Sequence, residues 1–89
     1  MIVVVKSNQQ DLSSEIVGHY DTEECAIEAM FQHANEFADQ DAKKKYSVQL
    51  RLNKSNIIDV FEYNVGWILS EKVRIFSLQY HQINEQYED

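Results

Sequence analysis

The chain has 89 residues, which is enough for one domain with a single hydrophobic core and too few for two. Hydrophobic residues make up 44% and charged residues 26%, a balance that excludes an intrinsically disordered chain. The formal net charge of -7 repels phosphate backbones and anionic lipid, so nucleic acid and membrane are not expected as partners.

The first 20 residues predict a β-hairpin. Residues 2–6 are β-branched and apolar almost throughout, and residues 15–20 predict a second short strand. The polar residues 7–14 predict the loop between them. Gly18 lies inside the second run, where it allows a β-bulge.

A helix is predicted from residue 22 to about residue 44. Asp21 and Glu24 have the spacing of a capping box, which satisfies free N–H groups of the first turn. Three lysines, residues 43–45, are expected in the last turn, where the helix dipole favours cations. Apolar residues three and four apart predict one buried face. This face consists of Ile27, Met30, Ala34 and Phe37, flanked by Ala26, Phe31 and Ala38.

A second hairpin is predicted after the helix. Residues 46–53 alternate strictly between apolar and polar side chains, as in a half-buried strand. Residues 53–56 are turn formers, and the β-branched and aromatic residues 57–63 predict the returning strand. The apolar side of the first strand consists of Tyr46, Val48, Leu50 and Leu52.

Residues 71–88 fit two alternatives. The run from residue 73 to 80 predicts a strand, with one break in its alternation at Ile75 and Phe76 where a bulge would shift the register. A helix beginning at Glu71 would use apolar residues at heptad spacing. The many β-branched and aromatic residues favour the strand. The heptad positions are Leu69, Val73, Phe76, Tyr80, Ile83 and Tyr87.

Together these elements predict one α+β domain, residues 1–89. We expect an antiparallel sheet of four or five strands with the long helix packed across one face. The helix is expected to contact the apolar side of the third strand, at Val48, Leu50 and Leu52.

The sequence lacks the motifs of the common enzyme classes, so we expect no enzyme activity and no cofactor. It has no glycine-rich phosphate loop, no nucleophile-elbow motif and no paired cysteines. The three histidines, His19, His33 and His81, do not have the spacing of metal ligands, and no metal site is expected. Cys25 has acidic neighbours that disfavour a reactive thiolate, so we expect a small, half-buried side chain.

The same features indicate an intracellular, soluble protein. A single cysteine cannot form an internal disulfide, which fits a reducing compartment. Residues 1–5 are too short for a signal peptide and lack its basic flank, and no run of about 18 apolar residues is present.

The lysines at 43–45 also suggest a basic patch with Arg51 and Lys54 beside Tyr46. The helix dipole alone explains the position of the three lysines, and we favour that explanation.

Two segments resemble a known group of proteins. They are VGHYDTE at residues 17–23, leading into the helix, and IDVFEY at residues 58–63, followed by Gly66-Trp67. The chain resembles small uncharacterised proteins of large cytoplasmic DNA viruses, notably the marseillevirus group. The resemblance implies an α/β homodimer made in the infected host cell and either retained in its cytoplasm or packaged in the virion.

More aromatic side chains are present than one helix can cover, so a second surface must shield some of them. We therefore expect a non-catalytic homodimeric interaction or structural module. The alternative is an acidic decoy that uses Glu28, Glu36 and Asp39 to bind a basic nucleic-acid-binding surface of a host or defence protein. The candidate interface residues are Trp67, Phe76, Tyr80, Phe61 and Tyr63.

Overall fold

The computed structural model describes residues 1–41, 43–65 and 70–83, and of residues 64, 65, 70 and 71 it describes the backbone. The elements are β1 (Ile2–Asn8), β2 (Ser14–Tyr20), α1 (Glu23–Ala38), β3 (Lys45–Leu50), β4 (Ile57–Val65) and β5 (Ser70–Gln82). The strands form one antiparallel five-stranded sheet, and α1 packs against it. The predicted α+β fold is confirmed.

The strand order is β2-β1-β5-β4-β3, so the last strand in sequence lies in the middle of the sheet. β1 and β2 form one hairpin, β3 and β4 form another, and β5 pairs with β1 on one side and β4 on the other. α1 connects β2 to β3, which are the two edges, and it therefore crosses the sheet. The helix and β5 together hold the two hairpins in one structure.

The core lies between α1 and the facing side of β1, β4 and β5. α1 contributes Ala26, Met30 and Ala34, which are four residues apart on one side of the helix. Phe37 is half-buried at the border of this core, with its ring centroid 4.9 Å from that of Phe76. The strands contribute Ile2, Val4, Ile58, Val60, Phe76 and Leu78, each at most 3% exposed.

The predicted contact between the helix and β3 is correct only for Val48, which packs against the core. Leu50 is 51% exposed and Leu52 is 85% exposed, so their predicted burial is wrong. β3 is an edge strand that ends at Leu50, and Leu52 lies in the turn beyond it. The helix therefore does not cover these two side chains.

The start of α1 differs from the prediction by one residue. The N-cap is Thr22, whose Oγ1 accepts a hydrogen bond from the backbone N–H of Cys25 at 3.1 Å. Asp21 lies outside the cap, and the capping box with Glu24 is not formed. Thr and Asp are both good N-caps, so sequence preference alone did not distinguish them.

The end of α1 is also earlier than predicted. The helix ends at Ala38 with Asp39 as its C-cap, and no basic residue lies in its last turn. The carboxylate of Asp41 accepts the backbone N–H of Lys43 at 2.9 Å, a local hydrogen bond that competes with helix continuation. The lysines at 43–45 therefore lie in the turn and at the start of β3. Within the described residues, no helix is both long and apolar enough to cross a membrane.

The segment from Ser70 to Gln82 is a strand, and the helix alternative is excluded for it. Val60 pairs with Phe76 and Phe61 pairs with Arg74, so Ile75 is an extra residue in β5. This bulge lies at the predicted break in alternation and confirms that prediction. It changes which residues of β5 face the helix.

A second bulge lies in β2, where Val17 is an extra residue opposite Val4 and Val5. It is adjacent to Gly18, as expected. The Tyr20 side chain lies over Gly18, and a Cβ at residue 18 would come within 2.6 Å of the Tyr20 hydroxyl oxygen. A side chain at residue 18 would therefore displace the Tyr20 ring from its place against the core.

Candidate binding surface on the open face of the sheet

The sheet face opposite α1 is called the open face. Side chains alternate between the two faces along each strand, and the core residues occupy the face under the helix. Val3, Val5 and Ile16 lie on the β1–β2 half of the open face. α1 is the one helix of the described residues, so no described helix covers this face.

A buried carboxylate lies in the β3–β4–β5 half of the open face. Asp59 of β4 is 3% exposed. Arg51 donates to both oxygens of this carboxylate, from Nη2 at 2.6 Å and from Nε at 2.9 Å. The Ser77 hydroxyl donates at 2.6 Å, and Nε of Arg74 lies 3.4 Å from Oδ1. Asp59 is thus fully paired, and no buried side-chain polar atom in the described part of the chain lacks a hydrogen-bond partner.

Strand register brings Asp59 together with the side chains that contact it. Ser77 lies directly opposite Asp59 on β5, and Gln49 lies directly opposite Asp59 on β3. Arg51 is two residues beyond Gln49, which makes it a diagonal neighbour within reach of a long side chain. The cluster therefore forms only after both neighbouring strands have paired with β4.

The cluster keeps its charges at neutral pH. Burial alone would raise the pKa of Asp59, but hydrogen bonds from Arg51 and Ser77 and the charges of Arg51 and Arg74 outweigh burial and lower this pKa below its ordinary value of 3.8. The hydrogen bond to Asp59 in turn raises the pKa of Arg51. The pair is therefore ionised throughout the physiological range.

Two further cations lie over one aromatic ring. Lys72 Nζ is 4.1 Å and Arg74 Cζ is 5.7 Å from the ring centroid of Phe61, both within cation–π range. Lys72 Nζ also donates to Oε1 of Gln49 at 3.3 Å. Both cations remain accessible, since Lys72 is exposed and the Arg74 side chain is 41% exposed. Arg51, Lys72 and Arg74 are called the basic cluster.

The open face is positive although the chain is acidic. Lys45 begins β3 on the same face, opposite Tyr63. With the three residues of the basic cluster, Lys45 makes four cations on this face. Asp59 is the one described carboxylate beside them, so the formal charge is four minus one, or +3. The whole chain has a net charge of -7. Among the described residues, the open face is therefore opposite in sign to the chain's overall charge.

The outer side of α1 is correspondingly negative. α1 contains no Lys or Arg. Glu24, Glu28, Glu36 and the C-cap Asp39 are all exposed and lie away from the Ala26 side of the helix. These four residues are called the acidic helix surface, and they include the three acidic residues singled out from the sequence.

The structure separates the five predicted interface residues. Phe61 and Tyr63 are half-buried on the open face. Phe76 is 1% exposed in the core, so its assignment as an interface anchor is wrong. Tyr80 packs against the core on the helix side and not on the open face. Trp67 lies outside the described residues.

Other candidate sites are small or absent in the described residues. Cys25 is exposed, which contradicts the expected half-burial. No group of three or more His, Cys, Asp or Glu side chains there is arranged to hold a metal ion. A pocket of about 190 Å³ lies beside the β5 bulge, smaller than the roughly 300 to 1,000 Å³ typical of ligand sites. Its lining residues are Gln10, Glu62, Val73, Arg74 and Ile75.

The cluster around Asp59 was not predicted from the sequence. A signal was present, because Asp59 interrupts the apolar run IIDVF, and Arg74 and Ser77 interrupt VRIFSL. Charged residues within otherwise apolar strands are buried only when they are paired. Their pairing with one another required the strand order, which places β4 beside β5. Comparisons with protein-family models, with curated proteins and with solved structures found no match to this chain.

Proposed function

We propose that the protein is a non-catalytic interaction module that associates with itself and uses the open face as its binding surface. The supporting observation is that no described helix covers this face, although Phe61 and Tyr63 lie half-buried on it beside the basic cluster. Ile16, on the other half of the face, is 60% exposed. The smallest assembly of this kind is a homodimer.

The size of the face predicts a weak association. Five strands about 4.8 Å apart span roughly 19 Å, and seven residues span roughly 23 Å, so the flat footprint is on the order of 450 Å². Stable complexes bury about 800 Å² on each partner. We therefore expect a reversible association whose extent depends on protein concentration.

Light scattering coupled to size exclusion tests the proposal over a dilution series that reaches high micromolar concentrations. The expected result is an apparent mass that rises from the monomer mass of 10.5 kDa as concentration increases. A constant monomer mass over the whole series would contradict self-association.

A second candidate function is that of an acidic decoy or inhibitor. The observation that favours it is the acidic helix surface, an exposed row of carboxylates on a helix without Lys or Arg. Such a surface would occupy the basic nucleic-acid-binding surface of a host or defence protein in place of phosphates. Affinity capture from host-cell extract tests the decoy. Binding of a basic host protein would favour the decoy over self-association if high salt abolishes the binding and the double variant Glu28→Gln with Glu36→Gln weakens it.

The resemblance to viral proteins supplies the proposed setting. The protein would be made in an infected host cell, where it acts in the cytoplasm or is packaged in the virion. Mass spectrometry of purified virions and of infected-cell fractions would distinguish the two locations.

A further inference from the structure

We infer that a second copy of the chain binds the open face with its acidic helix surface, so that copies associate head to tail. This inference rests on the proposed self-association and names the two surfaces that meet. One surface is the basic cluster with Lys45, and the other is formed by Glu24, Glu28, Glu36 and Asp39.

The basic cluster carries three cations, and the one described carboxylate beside them, Asp59, balances a single positive charge. The Asp59 carboxylate already accepts two hydrogen bonds from Arg51 and one from Ser77. Lys72 and Arg74 lie over the same Phe61 ring, where they repel one another. An anion placed beside both cations would relieve this repulsion. The cluster is therefore built to receive carboxylates or other anions from outside.

The acidic helix surface has a matching spacing. Glu24 and Glu28 are four residues apart on the helix, with their Cβ atoms roughly 5 to 6 Å apart. Lys72 and Arg74 are two residues apart on β5, a separation of roughly 7 Å. One pair of carboxylates can thus meet one pair of cations without rearrangement of either element.

Charge also argues against the simplest alternative arrangement. A two-fold dimer that overlaid one basic cluster on the other would place like charges together, which is unfavourable. In the head-to-tail arrangement, unlike charges meet. Because the two surfaces lie on opposite sides of the molecule, each association leaves one open face and one helix unoccupied, so the assembly lengthens with concentration.

A nucleic acid is a poorer occupant than a second copy. A polyanion that continued past the basic cluster would meet the rest of a chain whose net charge is -7. The acidic helix surface of a second copy, in contrast, is short, so its carboxylates would lie beside the basic cluster and not extend over the rest of the chain. The second copy is therefore the occupant favoured by the charges.

The test uses two charge-reversal variants of the full chain. The face variant combines Lys45→Glu with Lys72→Glu and leaves Arg51, Asp59 and Arg74 intact. The helix variant combines Glu24→Lys with Glu28→Lys. The control variant combines Lys43→Glu with Lys54→Glu, which makes the same change of charge outside the strands. Circular dichroism and melting curves confirm that each variant is folded before its mass is measured.

We expect the face variant and the helix variant each to associate only at a protein concentration at least about tenfold higher than the parent requires. An equimolar mixture of the two should associate again, because the acidic face of one then meets the basic helix of the other. The control variant should behave like the parent, and raising salt from about 0.15 M to 1 M should weaken association of the parent.

When the parent associates, any of four results would overturn the inference. The mixture of the two variants stays monomeric, the face variant associates like the parent, or the control variant also loses association. The fourth is that the parent binds a fluorescent single-stranded oligonucleotide and the face variant does not. If the parent associates but the charge reversals have no effect, the proposed self-association survives and the head-to-tail geometry fails. If the parent remains monomeric, both fail.

Discussion

Asp59 is the residue on which the open face depends. A carboxylate that is 3% exposed must be paired, and here Ser77 of β5 and Arg51, which directly follows β3, satisfy it. The same pairing fixes the Arg51 side chain across three strands. One buried charge therefore positions two cations of the open face, Arg51 and Arg74.

Asp59→Asn should lower the free energy of unfolding by about 2 to 3 kcal/mol. Removing one partner of a buried ion pair typically costs about 3 to 5 kcal/mol, and this cost is reduced here because the Arg51 side chain is 36% exposed and stays partly solvated. Urea denaturation monitored by circular dichroism measures the change. Asp11→Asn is the matched control at an exposed turn residue, and it should leave the midpoint nearly unchanged because Asn keeps the Oδ1 that accepts from Ser13. Equal effects of the two variants would contradict the role of Asp59.

The stabilisation by Asp59 should disappear in acid. Its pKa is lower in the folded chain than the ordinary value of 3.8, so the unfolded chain binds the proton more readily. The contribution is fully present above about pH 5 and is lost as the pH falls below 4 and through the folded-state pKa. The difference in unfolding free energy between parent and Asp59→Asn should therefore be constant from pH 7 to 5 and shrink below pH 4. A difference that stays constant down to pH 2.5 would show that the carboxylate charge is not the cause.

Among the elements, α1 connects the two edges of the sheet and is held by a small number of groups at its start. Thr22 caps its first turn, where Oγ1 accepts the Cys25 N–H. The acidic Glu23 and Glu24 in that turn favour the positive end of the helix dipole. The helix start is therefore sensitive to one hydroxyl group.

Thr22→Ala should lower the free energy of unfolding by about 1 kcal/mol, the usual cost of losing an N-cap. Asp21→Ala, one residue earlier, is the control and should cost less, because its side chain accepts no described hydrogen bond from the helix. Thermal melts of both variants provide the comparison. If Asp21→Ala proves the more costly, the cap lies one residue earlier than the structure places it.

The elements could largely be predicted from local patterns, whereas the open-face cluster could not. Alternation and turn residues sufficed for the strands, and even the bulge at Ile75 follows from one break in the pattern. The error at Phe76 has the same source, because a bulge changes which side chains face the helix. The meeting of Arg51, Asp59 and Ser77 depends on strand order and register, which no local pattern contains.

At the scale of the whole molecule, the central position of β5 makes the fold depend on its last strand. Neither hairpin contacts the other through backbone pairing, and each is joined to the sheet by β5. These pairings connect residues that are far apart in sequence, such as Ile2 and Gln82. A substitution that destabilises β5 should therefore reduce the protection of both hairpins, β1–β2 and β3–β4, against hydrogen exchange.

Leu78→Ala tests this dependence, because Leu78 is fully buried in β5 between its partners Lys6 on β1 and Ile58 on β4. The substitution should lower the free energy of unfolding by about 2 to 5 kcal/mol, through lost burial and the cavity that remains. Hydrogen exchange should accelerate by a similar factor in β1 and in β4, since both lose the same neighbour. Leu52→Ala, at a residue that is 85% exposed, is the control and should change neither strand. Faster exchange confined to one of the two hairpins would show that they unfold independently and that β5 does not couple them.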